Sequence, residues 1–156
     1  MLATNFRTSI NFGNFTLTGA GSALAVVKLD GATGTATAGK AYGNSTSVKV
    51  RGLVALPNGN VAGAAEFQDQ VLLGGTTLNA GAGQALAVFQ LSTDGSALSA
   101  KRYGGGNEQD FVTSVRRCES EEVVLTGTFD RTIDFGAGAP LSTAGSRTIF
   151  AGRVVP

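Results

Sequence analysis

The sequence predicts an all-β fold built from repeated units of four antiparallel strands, and three observations carry that reading. First, a segment of about sixty residues occurs twice and begins a third time. Ile10-Asn11-Phe12-Gly13 returns as Val71-Leu72-Leu73-Gly74 and as Ile133-Asp134-Phe135-Gly136, which spaces the glycines 61 and 62 residues apart. Tyr42-Gly43 and Tyr103-Gly104, Leu17 and Leu78, and Phe67 and Phe129 keep the same step, while Leu29, Leu91 and Val154 align within a residue or two. Second, apolar residues inside each unit alternate with period two between clusters of turn residues. Third, 23 of the 156 residues are Gly and only 15 % are charged, with the remainder leaning on Ala, Thr, Ser, Val and Leu. That mixture favours strands and tight turns over helices.

A repeat of this size implies stacked units, none of which buries its apolar face alone. The chain divides into repeat 1 at about residues 10–70, repeat 2 at about 71–132 and a partial repeat 3 at about 133–156, together one domain. In repeat 1 strands are expected at 23–30, 36–42, 48–56 and 60–67. The turn at Thr33-Gly34 joins the first two, and Pro57-Asn58-Gly59 joins the last two. Pro57 presets the first turn position and Asn58-Gly59 tolerate positive φ, so this is a hairpin with a mechanism. Repeat 2 continues at 85–91, where Ala85, Ala87, Phe89 and Leu91 share one face and Leu86 and Val88 the other. A strand apolar on both faces is sandwiched between layers. The turn at 92–95 follows, then strands at 97–103, 111–118 and 123–129, separated by Gly104-Gly105-Gly106-Asn107 and by an acidic turn at 119–122. Residues 148–155 form a final strand. Between strand sets, longer polar loops carrying the Phe-Gly motif are expected at 7–22, 69–84 and 131–147. No helix is supported: Ala-rich 20–28 is interrupted by Gly21 and runs into β-branched residues.

Four-stranded antiparallel repeats, apolar on both faces and punctuated by glycine, suit the blades of a β-propeller, each covered by neighbours on both sides. Thr113-Ser114-Val115, Val123-Val124-Leu125-Thr126-Gly127-Thr128-Phe129, Ile133-Asp134-Phe135-Gly136, Thr143-Ala144-Gly145, Ile149-Phe150-Ala151 and Lys101-Arg102-Tyr103-Gly104-Gly105 together carry a resemblance. The chain resembles the bacterial β-propeller repeats of large surface and secreted proteins, notably of myxobacteria. The resemblance spans nearly the whole chain and implies a propeller-like array of about two and a half repeats, serving as scaffold or binding platform. Members of that family often carry an Asp before the Ile-Phe strand and a Trp in the strand before Tyr-Gly. Here the Asp positions hold Ala23, Ala85 and Thr148, and the chain has no Trp; a ligand or metal role tied to that Asp is not carried over.

Counted this way the chain supplies nine strands, too few to close a ring of roughly four to eight four-stranded blades. An open fragment exposes apolar faces and strand edges, an aggregation hazard that self-assembly removes. The expectation is a homo-oligomer, a dimer or trimer, in which the terminal strand completes a neighbour's blade by strand addition. Thr148, Ile149, Phe150, Val154 and Val155 are the interface candidates there. A piece of a longer propeller, or another β-fold using the same repeats, is the alternative.

Residue chemistry excludes more than it suggests. The chain has no His, which removes Ser-His and Cys-His machinery and the commonest metal ligand. It is therefore read as a non-enzyme with no cofactor and no metal. Twelve Lys and Arg against 11 Asp and Glu give a net charge of +1 without a basic stripe, so no nucleic-acid partner is expected. Cys118, the single cysteine, excludes an intrachain disulfide. Its neighbours Arg116 and Arg117 can lower a thiol pKa, but the favoured reading is structural, a small strand residue before an acidic turn. The cluster Arg116-Arg117-Cys118-Glu119-Ser120-Glu121-Glu122 reads either as a solvated hairpin tip or as a docking contact through Arg116 and Arg117. Asp30, Asp94, Asp110, Asp130 and Asp134 lack the alternate spacing of a calcium loop. The Gly104–Gly106 run lacks the Lys-Ser/Thr and following helix of a phosphate cradle. Met1 to Arg7 lack the basic start and apolar core of a signal peptide, and no stretch is long enough to span a bilayer.

Two functional classes remain. One is a structural or assembly protein, such as a virion or surface decoration component, with an extracellular, surface or virion setting expected over a metabolic cytosolic one. The other is a propeller-type module binding glycan or protein through residues 16–22, 78–84 and 141–147. Two Tyr, nine Phe and no Trp weaken its lectin version.

Overall fold

Alternating apolar residues between turn clusters fold here as strands throughout. A computed structural model describes residues 1–118, 120–136 and 138–156, and among these there is no helix. The strands are β1 (Leu2–Asn11), β2 (Thr16–Leu29), β3 (Ala36–Ser45), β4 (Ser47–Ala55), β5 (Val61–Leu73), β6 (Thr76–Leu91), β7 (Ala97–Gly104), β8 (Phe111–Arg117), β9 (Val123–Phe129), β10 (Thr132–Ile133), β11 (Leu141–Ser142) and β12 (Thr148–Val154). They pair antiparallel into a first sheet β1-β2-β3, a central sheet β4-β5-β6-β7 and a last sheet β12-β9-β8, with β10-β11 as a short ribbon.

The expected turns form, with one difference in mechanism: Gly59 takes a positive φ of 85° and Asn58 does not, contributing through its side chain instead. At Pro57-Asn58-Gly59 the Gly59 N–H donates to the Leu56 carbonyl at 3.1 Å and Asn58 Oδ1 accepts the Asn60 N–H at 2.9 Å. After β6, Gly95 N–H closes onto the Ser92 carbonyl at 2.9 Å. After β2, the Asp30 carboxylate accepts both the Ala32 and Thr33 N–H groups. The acidic turn between β8 and β9 is closed by Cys118 N–H to Glu122 O at 3.1 Å; Glu119, within it, lies outside the described residues.

The repeat is as plain in the backbone as in the sequence. Thr8, Asp69 and Arg131, one repeat apart, all adopt left-handed φ values of 64°, 59° and 63°. In the first two sheets this residue marks a break in register, a bulge that bends the hairpin beyond it. At the tips, Gly13, Gly74 and Gly136 have φ of 88°, 59° and 73°, which explains why the glycine of the Phe-Gly motif recurs. Each bent tip lays its apolar residue back over a sheet: Leu73 joins the core of the central sheet and Phe135 packs on Phe150 and Tyr103.

The first and last sheets cover opposite faces of the central one. Leu24, Val26 and Tyr42 of the first sheet pack on Val48, Ala65, Phe67, Ala87 and Phe89. Ala62, Ala64, Leu86 and Val88, on the other face, meet Val112, Val115, Val123, Leu125 and Phe150 of the last sheet. The sandwiched strand read from 85–91 is thus found as expected, with Leu86 and Phe89 both fully buried. Burying one such side chain contributes about 1.5–3 kcal/mol.

Three expectations are corrected. The Phe-Gly segments are not polar loops: 7–22 and 69–84 are mostly the bent halves of β1, β2, β5 and β6, and only 131–147 is largely irregular. Leu2–Asn11 is therefore a strand, so the three sheets hold ten strands rather than nine. Its sequence hides it, because its large apolar residues Leu2, Phe6 and Ile10 are four apart and separated mostly by polar ones rather than alternating with them. Residues 148–154 are likewise not free to complete another sheet, since β12 pairs along β9 from Thr148↔Phe129 to Val154↔Val123.

Candidate assembly surfaces

Sheet meets sheet through polar contacts that recur at repeat-equivalent positions. Asn5 Oδ1 on β1 accepts the Val50 N–H of the next sheet at 2.7 Å. One repeat on, Glu66 Oε1 on β5 accepts the Val112 N–H at 3.0 Å. Glu66 is 1 % exposed and pairs with Arg51 Nη2 at 2.6 Å. Ser22 Oγ accepts the Val48 N–H at 3.1 Å, and its equivalent Gln84 donates through Nε2 to the Asp110 carbonyl at 3.0 Å. Asp110 is fully buried, and burial pushes its carboxyl up to about 6 although the Gly105 and Asp130 N–H groups both donate to it.

The edge strands β3 and β7 carry a second recurring contact. Tyr42 of β3 donates its hydroxyl to the Gly95 carbonyl at 2.5 Å and accepts the Ala97 N–H at 3.0 Å, while Lys40 Nζ reaches Ser96 Oγ at 2.5 Å. Burial raises the Tyr42 hydroxyl above its ordinary pKa. In β7 the equivalent Lys101 reaches the Val155 carbonyl at 2.9 Å, and Tyr103 packs on Phe135 with ring centroids 5.4 Å apart. The motif Lys-x-Tyr-Gly thus fastens one sheet to the next.

These internal junctions give meaning to the two outward faces. On the last sheet, three cross-strand rows face away from the centre: Phe111, Thr128 and Ile149; Ser114, Thr126 and Ala151; Arg116, Val124 and Arg153. Ile149 occupies the place of Leu24 in the first sheet and Leu86 in the central one. Both leucines are 0 % exposed against the following sheet, whereas Ile149 is 80 % exposed. Val155, just past the other end of β12, is also exposed. Arg116 lies on this face, and Arg117, on the alternate side of β8, is also exposed. Arg153 pairs with Glu122, and Arg147 pairs with Asp130 at 3.1 Å and sits 4.5 Å over the Phe111 ring. Of the other predicted interface residues, Thr148 is half-buried, while Phe150 and Val154 are buried in the chain's own core. The opposite face, on the first sheet, carries Phe6, Ala23 and Ala25 with Ile10, Phe12 and Leu17 packed against them.

The described clefts are shallow and chemically sparse. One, of about 560 Å³, is lined by Arg102, Tyr103, Gly104–Gly106, Thr132, Asp134 and Gly136. The five aspartates, whose spacing does not suit a calcium loop, do not gather as a set: Asp30 and Asp94 close their own turns, Asp110 is buried between sheets and accepts the Asp130 N–H, Asp130 pairs with Arg147, and Asp134 accepts the Gly136 N–H. Among the described residues no three His, Cys, Asp or Glu side chains group for a metal, and no helix is long and apolar enough to cross a membrane. The segments 16–22 and 78–84, read as binding loops, are strand instead. Asn5 and Glu66 were missed, and Ser22 and Gln84, the last residues of those two segments, were not read as junction contacts; their signal was polar residues recurring one repeat apart within strands. Comparison with family models, curated proteins and solved structures found no match, so the surfaces are read from their own geometry.

Proposed function

We propose that the chain is a non-enzymatic assembly scaffold of three propeller-type blades, akin to bacterial surface propeller repeats, that closes by pairing its outward faces with those of a second copy. The observation that carries this reading is Ile149, 80 % exposed where its two repeat equivalents are fully buried against a following sheet. Phe6 and the folded tip residues Phe12 and Leu17 mark the complementary face at the other end of the stack. Two chains of three sheets make a ring of six, within the roughly four to eight blades such rings hold. A surface or virion decoration component fits such a closed, chemically inert ring. Light scattering on the chain and on Ile149→Asp tests it. A dimer that the substitution converts to a folded monomer supports the reading, and a wild-type monomer at every concentration overturns it.

A further inference from the structure

Pro57-Asn58-Gly59 closes the β4-β5 hairpin, and its atoms are arranged for a reaction of the chain with itself. Asn58 and Gly59 are both exposed. Asn58 Oδ1 accepts the Asn60 N–H at 2.9 Å, which folds the side-chain amide back over the Gly59 peptide. The Asn58 Cγ carbon is thereby turned toward the Gly59 nitrogen, and a donor already points at the oxygen on which charge develops when that nitrogen attacks. Gly59 has no side chain to obstruct the approach. Its N–H is held by the Leu56 carbonyl at 3.1 Å, a single bond at a hairpin tip whose local opening releases the nucleophile. Asn58 Nδ2, the group that has to leave, has no hydrogen-bond partner among the described residues, whereas Asn11 and Asn14 hold theirs on Thr16 Oγ1 and the Ala36 carbonyl.

No other position combines these features. The remaining asparagines precede Phe, Ser, Val, Ala or Glu, whose side chains crowd the same approach. The turns at Asp30-Gly31 and Asp94-Gly95 have the glycine but a poor leaving group, since a carboxylate must be protonated before water can depart. Hydrogen bonds from Thr33 to Asp30, and from Ser92 and Ser96 to Asp94, hold both carboxyls below the usual range and so keep them ionised.

We infer that Asn58 is a self-modification site, which loses its side-chain ammonia through a succinimide formed with Gly59. The Gly59 nitrogen gives its proton to solvent and bonds to Cγ; the Cγ–Nδ2 bond breaks, and Nδ2 takes a proton from solvent and departs as ammonia. Water then opens the ring at either carbonyl, leaving aspartate in the normal linkage or isoaspartate, whose backbone runs through Cγ. Either product places a negative charge on the residue whose N–H the Glu121 carboxylate accepts at 3.2 Å. Like charges then meet where the hairpin tips of the central and last sheets touch, and the longer isoaspartate backbone also spoils the bond to Asn60. The contact between these tips therefore loosens as the chain ages. This goes beyond the assembly reading and does not depend on it.

The test ages the full chain in mildly alkaline buffer, locates mass changes by tandem mass spectrometry, and applies hydrogen exchange to the aged fraction separated by charge. A gain of one mass unit at Asn58, at least tenfold faster than at any other asparagine, is expected, with isoaspartate among the products and faster exchange at 58–60. Gly59→Ala should slow the gain at least tenfold whether or not the tip tolerates it, because the methyl group crowds the attacking nitrogen in folded and unfolded chains alike. Asn58→Ser, shown to be folded by circular dichroism, cannot form the ring and should age without the faster exchange. No preferential gain at Asn58 in the folded chain, a gain unaffected by Gly59→Ala, or equal loosening in aged Asn58→Ser overturns the inference.

Discussion

Tyr42→Phe and Tyr103→Phe remove the same hydroxyl from the same position of successive repeats, yet the two substitutions should differ in effect. The Tyr42 hydroxyl bridges the Gly95 carbonyl at 2.5 Å and the Ala97 N–H at 3.0 Å, across the junction between the first and central sheets. Phenylalanine leaves a carbonyl and an N–H without that partner, and an unpaired buried group costs about 1–3 kcal/mol. A loss of about 2 kcal/mol follows, roughly thirtyfold in the folding equilibrium. Tyr103 is as buried as Tyr42, but among the described residues its hydroxyl has no partner, and its ring packing on Phe135 survives the change. Its substitution should cost under about 0.5 kcal/mol, as for changes away from a specific contact. Urea unfolding followed by far-UV circular dichroism is the assay, since the chain has no Trp and only these two Tyr. With a slope of about 1–3 kcal/mol per molar urea, the Tyr42 variant should shift its midpoint by about 1 M. Equal shifts, or a larger one for Tyr103→Phe, would refute the role given to Lys-x-Tyr-Gly.

Three further outcomes follow from the junctions. Glu66→Ala should destabilise by about 1–3 kcal/mol, because it leaves the buried Val112 N–H without its acceptor, while the exposed Arg51 guanidinium turns to water; Glu66→Gln, which keeps an acceptor for Val112, should lose clearly less in the same unfolding assay. Asp110 is held at about 6 against an ordinary 3.8, so the folded chain keeps a proton in that window that the unfolded chain has released. Stability should therefore fall as pH rises from about 4 to 6 and level off above, and Asp110→Asn should remove that component of the slope in pH-dependent unfolding. Thr8→Gly relieves a left-handed residue whose strain is worth about 1–2 kcal/mol, partly offset by chain entropy, so thermal unfolding should show a change between neutral and about 1 kcal/mol stabilising.

The central strands were legible because Ala85, Leu86, Ala87, Val88 and Phe89 are apolar on both faces, and that pattern has one structural meaning. The turns were legible because Pro57-Asn58-Gly59 and Ser92-Thr93-Asp94-Gly95 state their geometry locally. The bent hairpins were not. Thr8, Asp69 and Arg131 share a left-handed conformation but no side-chain chemistry, so the bulge that converts expected loops into folded-back strands leaves no mark in residue type. Of the terminal-strand residues named together from the sequence, Ile149 and Val155 are exposed while Phe150 and Val154 are buried, and Arg116 and Arg117 are exposed. That division was not legible, because a strand's period tells which residues share a face but not which face is covered. The polar junction contacts were hidden for a related reason: Asn5 sits among the polar residues of β1 and Glu66 follows the Ala-rich start of β5, and either reads as solvent-facing until the neighbouring sheet is placed against it.

The most direct test of the account is the native mass of the chain across a dilution series, by light scattering or native mass spectrometry. The account predicts a dimer that dissociates on dilution and is lost in Ile149→Asp without loss of circular dichroism. A wild-type chain that remains monomeric at every concentration while Ile149→Asp changes nothing would contradict it.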